Sequence, residues 1–175
     1  GAWAASRGTV DADRIDLFQA DEPIVLADRL VNEHLDGSNT LDVVIETGEQ
    51  EGIFEPSVLS RIEELQAFAA TLPHVGGSTS IVDYLKQMNR VLEGGAAEAY
   101  RLPQTREAAA QYMLLYTFSG DPEDFSEQVD YDYRSANVRL RLKDGGYLEI
   151  RAVIDALTPR LSERFPPGDS VSAVI

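Results

Sequence analysis

The chain has 175 residues, 30 acidic and 15 basic, for a formal net charge of −15 and a pI near 4.4. Such an acidic surface repels phosphate, which excludes sequence-independent nucleic-acid binding through Lys and Arg and disfavours docking of the bare domain on an anionic bilayer. Hydrophobic residues at 43% and charged residues at 26% mark a globular chain; at 19.2 kDa, folding buries roughly 70% of its surface, enough for one core without staples.

Residues 1–21 show no strong period and read as an extended lead-in, with Asp11, Asp13 and Asp16 around Ile15, Leu17 and Phe18. Glu22 to Leu35 reads as a helix. Pro23 sits in its first turn, and Ile24, Ala27, Leu30, Val31 and His34 recur at helical intervals until Asp36-Gly37-Ser38-Asn39. Thr40 to Thr47 alternates as a strand, Leu41, Val43 and Ile45 on one face and Asp42 and Glu46 on the other. Pro56 opens a second helix, whose stripe is Val58 or Leu59, Ile62, Leu65, Ala69 and Leu72, stopping at Pro73.

His74 to Thr79 is a short strand carrying a double glycine. Ser80 and Asp83 then form a capping-box signature ahead of Ile81, Leu85, Met88 and Leu92, so a third helix follows and Gly94-Gly95 breaks it. A fourth helix, rich in aromatics, runs from Thr105 to Phe118. Ser135 to Lys143 is the clearest strand: Val138, Leu140 and Leu142 face one way, Asn137, Arg139, Arg141 and Lys143 the other. After Asp144-Gly145-Gly146 a last helix uses Ile150, Val153 or Ile154, Leu157 and Leu161. Pro159 interrupts it, so that helix is either bent or has a separate last turn. Ser170 to Ile175 alternates weakly as a final strand.

The order from residue 22 onward predicts one α+β domain, 22–175. Two split βαβ units, with helices on one face of a mixed sheet, make a ferredoxin-like sandwich with a helical insertion at about 80–120, between the second and third strands. In that topology the strands at 40–47 and 135–143 are central neighbours. Asp42 and Glu46 then either pair across the ladder with Arg139 and Arg141, or the two faces are solvated independently.

Chemistry-bearing motifs are sparse. No cysteine is present, which removes disulfides, thiolate zinc sites and cysteine nucleophiles but leaves the compartment open. His34 and His74, forty residues apart, supply no nitrogen-ligand set and read as helix-end or surface residues. Asp11-Asp13-Asp16 and Asp130-Asp132 lack the glycine and terminal glutamate of an EF-hand loop. Gly76-Gly77-Ser78-Thr79 is no nucleophile elbow, Gly145-Gly146 no phosphate cradle, and Glu63-Glu64 are helical surface neighbours. The expectation is therefore a non-enzyme, with no catalytic, cofactor-binding or metal residue nominated.

One feature of the helical insertion stands apart. Tyr84 and Met88 on one helix, with Tyr112, Met113, Leu115, Tyr116 and Phe118 on the next, are soft, amphipathic side chains. They either pack the insertion against the sheet or wall an apolar cleft for a greasy molecule. These seven are the candidate substrate-cleft residues.

A set of ordered runs resembles a known family. They are Phe18-Gln19-Ala20-Asp21, Gly37-Ser38-Asn39, Gly52-Ile53-Phe54-Glu55-Pro56, Leu59 with Ile62 and Leu65-Gln66, and Leu72-Pro73-His74-Val75-Gly76. They continue through Ser80-Ile81-Val82-Asp83-Tyr84-Leu85-Lys86-Gln87-Met88-Asn89 and Tyr100-Arg101-Leu102-Pro103. Ala110-Gln111-Tyr112, Leu115-Tyr116, Ser119-Gly120 and Val129-Asp130-Tyr131-Asp132-Tyr133 complete them. Together, over roughly Asp11 to Phe165, they resemble the first large extracytoplasmic loop of RND-superfamily exporters of the MMPL-like, predicted-lipid-exporter type. Pro159 and the short final strand depart from the pattern.

The resemblance implies a porter domain of a proton-driven exporter of the inner (cell) membrane, on the periplasmic or extracytoplasmic side. The implied partners are the remaining transmembrane and porter domains of the same chain, a hydrophobic or lipid-like substrate, and a second copy in a homo-oligomer. No cofactor and no nucleic acid are implied, and the proton-relay residues belong to membrane helices. The abrupt ends, with Trp3 at one and Val171 to Ile175 at the other, lead to the expectation of a piece of a longer chain flanked by apolar spans of ~20 residues. The alternative is an envelope protein–protein interaction module without a substrate cleft.

Overall fold

A computed structural model describes residues 39–120 and 122–175. The lead-in over 1–21, the helix expected over Glu22 to Leu35, Trp3 and His34 lie outside the described residues.

Period-two burial of Val43 and Ile45 makes Asn39–Glu46 the first strand, β1. A 3-10 turn at Gly52–Phe54 leads to helix α1, Pro56–Ala69, which starts on its proline and buries both Val58 and Leu59, then Ile62, Leu65 and Ala69. The helix ends earlier than its apolar stripe, leaving Leu72 half-buried in the turn that follows. Strand β2 is Val75–Thr79 and helix α2 is Ile81–Leu92. The capping box forms: Ser80 Oγ accepts from Val82 N at 3.0 Å, and Asp83 Oδ2 accepts from Ser80 N at 2.9 Å.

The buried face of α2 departs from the expected stripe at its end. Ile81, Val82, Leu85 and then Asn89 are buried, whereas Leu92 is 51% exposed. A straight helix drifts by part of a turn per heptad, and the polar Asn89 is tolerated inside because its amide is fully engaged. Gly94 and Gly95, both at positive φ, end this helix. Helix α3, Arg106–Ser119, is capped by Thr105, whose Oγ1 accepts from Ala108 N at 3.0 Å.

Strand β3, Ser135–Leu142, buries Ala136, Val138, Leu140 and Leu142 in strict alternation. Helix α4, Tyr147–Arg164, runs unbroken through Pro159, so its last turn is not separate. Its buried positions Val153, Leu157 and Leu161 recur every four residues, and Pro159 lies off that line on the exposed side. Strand β4, Ser172–Val174, pairs antiparallel with β1 in the register Val44 to Val174, Ile45 to Ala173 and Glu46 to Ser172.

The described residues therefore form an α+β arrangement of four helices and a four-stranded sheet in the order β2-β3-β1-β4. The sheet is antiparallel and not mixed, because each pair of strands joined through a helix is separated by an antiparallel neighbour. The neighbours β1 and β3 occupy its centre. Arg139 of β3 grips Asp42 of β1 with two bonds, Nε to Oδ1 at 2.9 Å and Nη2 to Oδ2 at 3.0 Å, and reaches Glu127 at 2.8 Å. Of the charges expected to face each other, Asp42 and Arg139 pair across the ladder, whereas Glu46 is exposed and the Arg141 guanidinium lies against Gly77.

The chain divides into two compact units. In one, described over 39–41, Ala69–Gly77 and Leu140–Arg160, the core consists of Val75, Leu140, Leu142, Val153 and Leu157. His74, half-buried, contributes its carbonyl to Lys143 N at 2.8 Å. The other, Asp42–Phe68, Ser78–Arg139 and Leu161–Ile175, has its core around Ile45, Phe54, Leu59, Ile62, Leu85 and Met113. All seven candidate cleft residues lie in this second unit.

Candidate functional site

Helix geometry sorts the seven candidates into different environments. Tyr84 and Tyr116 meet edge to face at 5.9 Å between ring centroids, and both reach Phe125, at 6.2 and 5.3 Å. Offset and T-shaped rings at such distances attract beyond simple burial. Met113 is only 1% exposed and belongs to the core; Met88 is half-buried on α2. The Tyr112 hydroxyl donates to Asn89 Oδ1 at 2.8 Å, and Asn89 Nδ2 donates to the Ala99 carbonyl at 2.8 Å.

Leu115 and Phe118, 46% and 79% exposed, face away from this packing together with Leu114. Spacings of three and four residues align 114, 115 and 118 on one side of α3, and 112 and 116 on another. The structure thus brings Tyr84 and Tyr116 together and sets Leu115 and Phe118 apart from them.

Phe125 connects the aromatic cluster to a surface cleft of about 570 Å³. Glu51, Asp130 and Asp132 give this cleft carboxylates, and Phe125, Tyr131 and Tyr133 give it rings; among the described residues no Lys or Arg lines it. Thr117 of α3 also reaches it.

Two loops build the cleft. Thr47 N and Oγ1 both donate to the Arg134 carbonyl, at 2.9 and 2.7 Å. Glu51 N donates to Asp132 O at 2.9 Å and Ile53 N to Tyr133 O at 3.1 Å, so the 47–53 loop is laced to the 130–134 loop. Asp130 Oδ1 accepts from Arg134 N and Ser135 N, at 2.8 and 3.0 Å, shaping the turn locally. Arg106 ties the first loop to α3: its guanidinium reaches Glu55 at 2.6 Å, Glu49 at 3.3 Å and the Gln50 carbonyl at 3.0 Å.

Glu51 and Tyr133, at φ 60° and 55°, are both left-handed residues that are not glycine. Each conformation costs roughly 1–2 kcal/mol, and the interloop bonds hold it in place. The Tyr133 ring packs on Phe54 at 4.7 Å. Burial pushes its phenol above the ordinary value of 10.0, and the negative charge of Glu51 and then Tyr131 raise it further. Glu51 and Tyr131 line the same cleft as Tyr133.

In the sequence Asp130 and Asp132 stand out as a calcium-like pair and as part of a family-like run, and Tyr131 and Tyr133 only within that run. Glu51 and Phe125 carried no signal beyond their place in loops. Among the described residues no cluster of His, Asp or Glu is arranged to hold a metal ion, and no helix is long and apolar enough to cross a membrane. Comparison with protein-family models, curated proteins and solved structures finds no match.

Proposed function

We propose that this chain is a porter domain of an RND-superfamily exporter of the MMPL-like type, carrying part of a path for hydrophobic or lipid-like substrates. The observation that carries the reading is connectivity. Helix α1 joins β1 to β2, α4 joins β3 to β4, and α2 and α3 are inserted between them, over a sheet ordered β2-β3-β1-β4. This connectivity supports the reading of a ferredoxin-like double split βαβ unit, the architecture the family-like runs imply. The joined rings of Tyr84, Tyr116 and Phe125, beside an open cleft, support this reading as an apolar wall of the kind that holds a greasy molecule. The partners on this reading are the transmembrane and remaining porter domains of the same chain, on the extracytoplasmic side of the membrane.

The test is titration of the chain with an environment-sensitive apolar dye, displaced by a fatty acid. Saturable binding that Tyr116→Ala weakens by about threefold or more supports the path. Dye that fails to bind, or that binds the Tyr116→Ala and Tyr112→Ala variants as tightly as wild type, overturns it for these residues.

A second reading, an envelope interaction module, is favoured by one observation: Leu114, Leu115 and Phe118 lie exposed side by side on α3.

A further inference from the structure

We propose that the cleft between the 47–53 and 130–134 loops binds an organic cation, a guanidinium or alkylammonium group, between its rings and its carboxylates. The proposal does not rest on the transport reading; it follows from the cleft itself.

The walls match such a group in kind and in size. Among the described residues Tyr131, 96% exposed, presents an open ring, the half-buried Tyr133 adds a second, and the buried Phe125 contributes to the cleft floor. Aromatic faces attract cations through the ring quadrupole, and carboxylates nearby add a charge–charge attraction of their own. Glu51, Asp130 and Asp132 supply that charge. Asp130 has one oxygen occupied by backbone donors, and Asp132 has only a long contact to Arg134 Nε at 3.9 Å. The other nearby cation, Arg106, is held by Glu49, Glu55 and the Gln50 carbonyl. A volume of about 570 Å³ accommodates a cation with several attached carbons. The field of a chain at −15 draws cations toward it from a distance.

The probe is N-acetyl-arginine amide, followed by backbone NMR shifts of the whole chain, with N-acetyl-citrulline amide as its uncharged isostere. The arginine compound should shift resonances over 50–51 and 125–133 at millimolar concentration, and the citrulline compound should not. Tyr131→Ala, which removes a fully solvated ring and leaves the fold intact, should weaken binding about two- to fivefold. Glu51→Gln should weaken it by a similar factor. Glu98→Gln removes an equal charge from an exposed position outside the cleft and should leave binding unchanged. Equal binding of citrulline, shifts confined elsewhere, no shift at ~50 mM probe, or equal losses from Glu98→Gln and Glu51→Gln would each overturn the proposal. A basic peptide distinguishes two sources of the same chemistry. A gain of about tenfold over the single amino acid identifies a protein side chain as the natural occupant, and no gain identifies a small free cation.

Discussion

Asn89 and Tyr112 are locked together inside the helical insertion: the tyrosine hydroxyl donates to the asparagine carbonyl oxygen at 2.8 Å, and the amide nitrogen passes on to Ala99 O. This relay joins α2, α3 and the 3-10 turn at Ala97–Ala99 through one buried polar side chain. Truncating Asn89 strands two partners at once, so Asn89→Ala should cost about 1–3 kcal/mol. Tyr112→Phe, which keeps the ring, should cost about 1 kcal/mol. Urea unfolding of both and of the double variant checks the relay. A double variant much less stable than Asn89→Ala alone would show that the two residues act independently.

A second prediction concerns the sheet centre. Arg139 binds Asp42 through two parallel bonds and Glu127 through a third, and the negative partners hold its guanidinium charged, above the ordinary value. Lysine cannot reproduce that fork. Arg139→Lys should lose about 0.5–1.5 kcal/mol, discounted because all three groups are partly solvated. The loss should shrink in high salt, as the Glu127 contact is screened. Equal stability of the lysine variant at low salt would count against the paired arrangement.

The same pair shows what the sequence made legible. Strands β1 and β3 alternate with period two because one face is buried, so the strands could be read in advance. The pairing of their charges stayed one of two readings until the register set Asp42 opposite Arg139. Helix starts at Pro56, Ser80 and Thr105 were legible for a comparable reason: capping is local chemistry. The cleft was not, since it joins residues near 50 to residues near 130, and its left-handed positions carry Glu51 and Tyr133 where a glycine would have signalled a turn. Helix α3 was readable as a helix but not as a wall, because it has apolar side chains on opposite faces: Met113 inward, Phe118 outward. Composition alone does not tell those faces apart.

Gly52 sits against Thr47 in the loop that shapes the cleft. A Cβ at Gly52 would overlap the Thr47 hydroxyl, whose bond to the Arg134 carbonyl ties the two loops together. The obstruction is steric, since the φ of Gly52 is not positive. Gly52→Ala should therefore displace Thr47 and cost about 1–3 kcal/mol. Thr47→Val, which removes only the hydroxyl, should cost about 1 kcal/mol. A Gly52→Ala midpoint in urea indistinguishable from wild type would mean that this clamp is loose.

Tyr133 gives the cleft a pH dependence whose sign can be worked out. Its phenol is raised in the folded chain, by burial first and by Glu51 and Tyr131 after that, relative to an unfolded value near 10. The folded state therefore holds the proton more tightly than the unfolded state. The stability this contributes is complete below about pH 10 and is lost as pH rises through the folded value. Unfolding free energy measured across the alkaline range should fall more steeply for wild type than for Tyr133→Phe, whose ring still packs on Phe54 but has no proton to lose. Glu51→Gln should make the wild-type decline shallower, because one of the charges opposing tyrosinate is gone. Parallel curves for wild type and Tyr133→Phe up to the point of unfolding would show that the Tyr133 phenol is not held protonated by the fold, and the electrostatic picture of the cleft would fall with it.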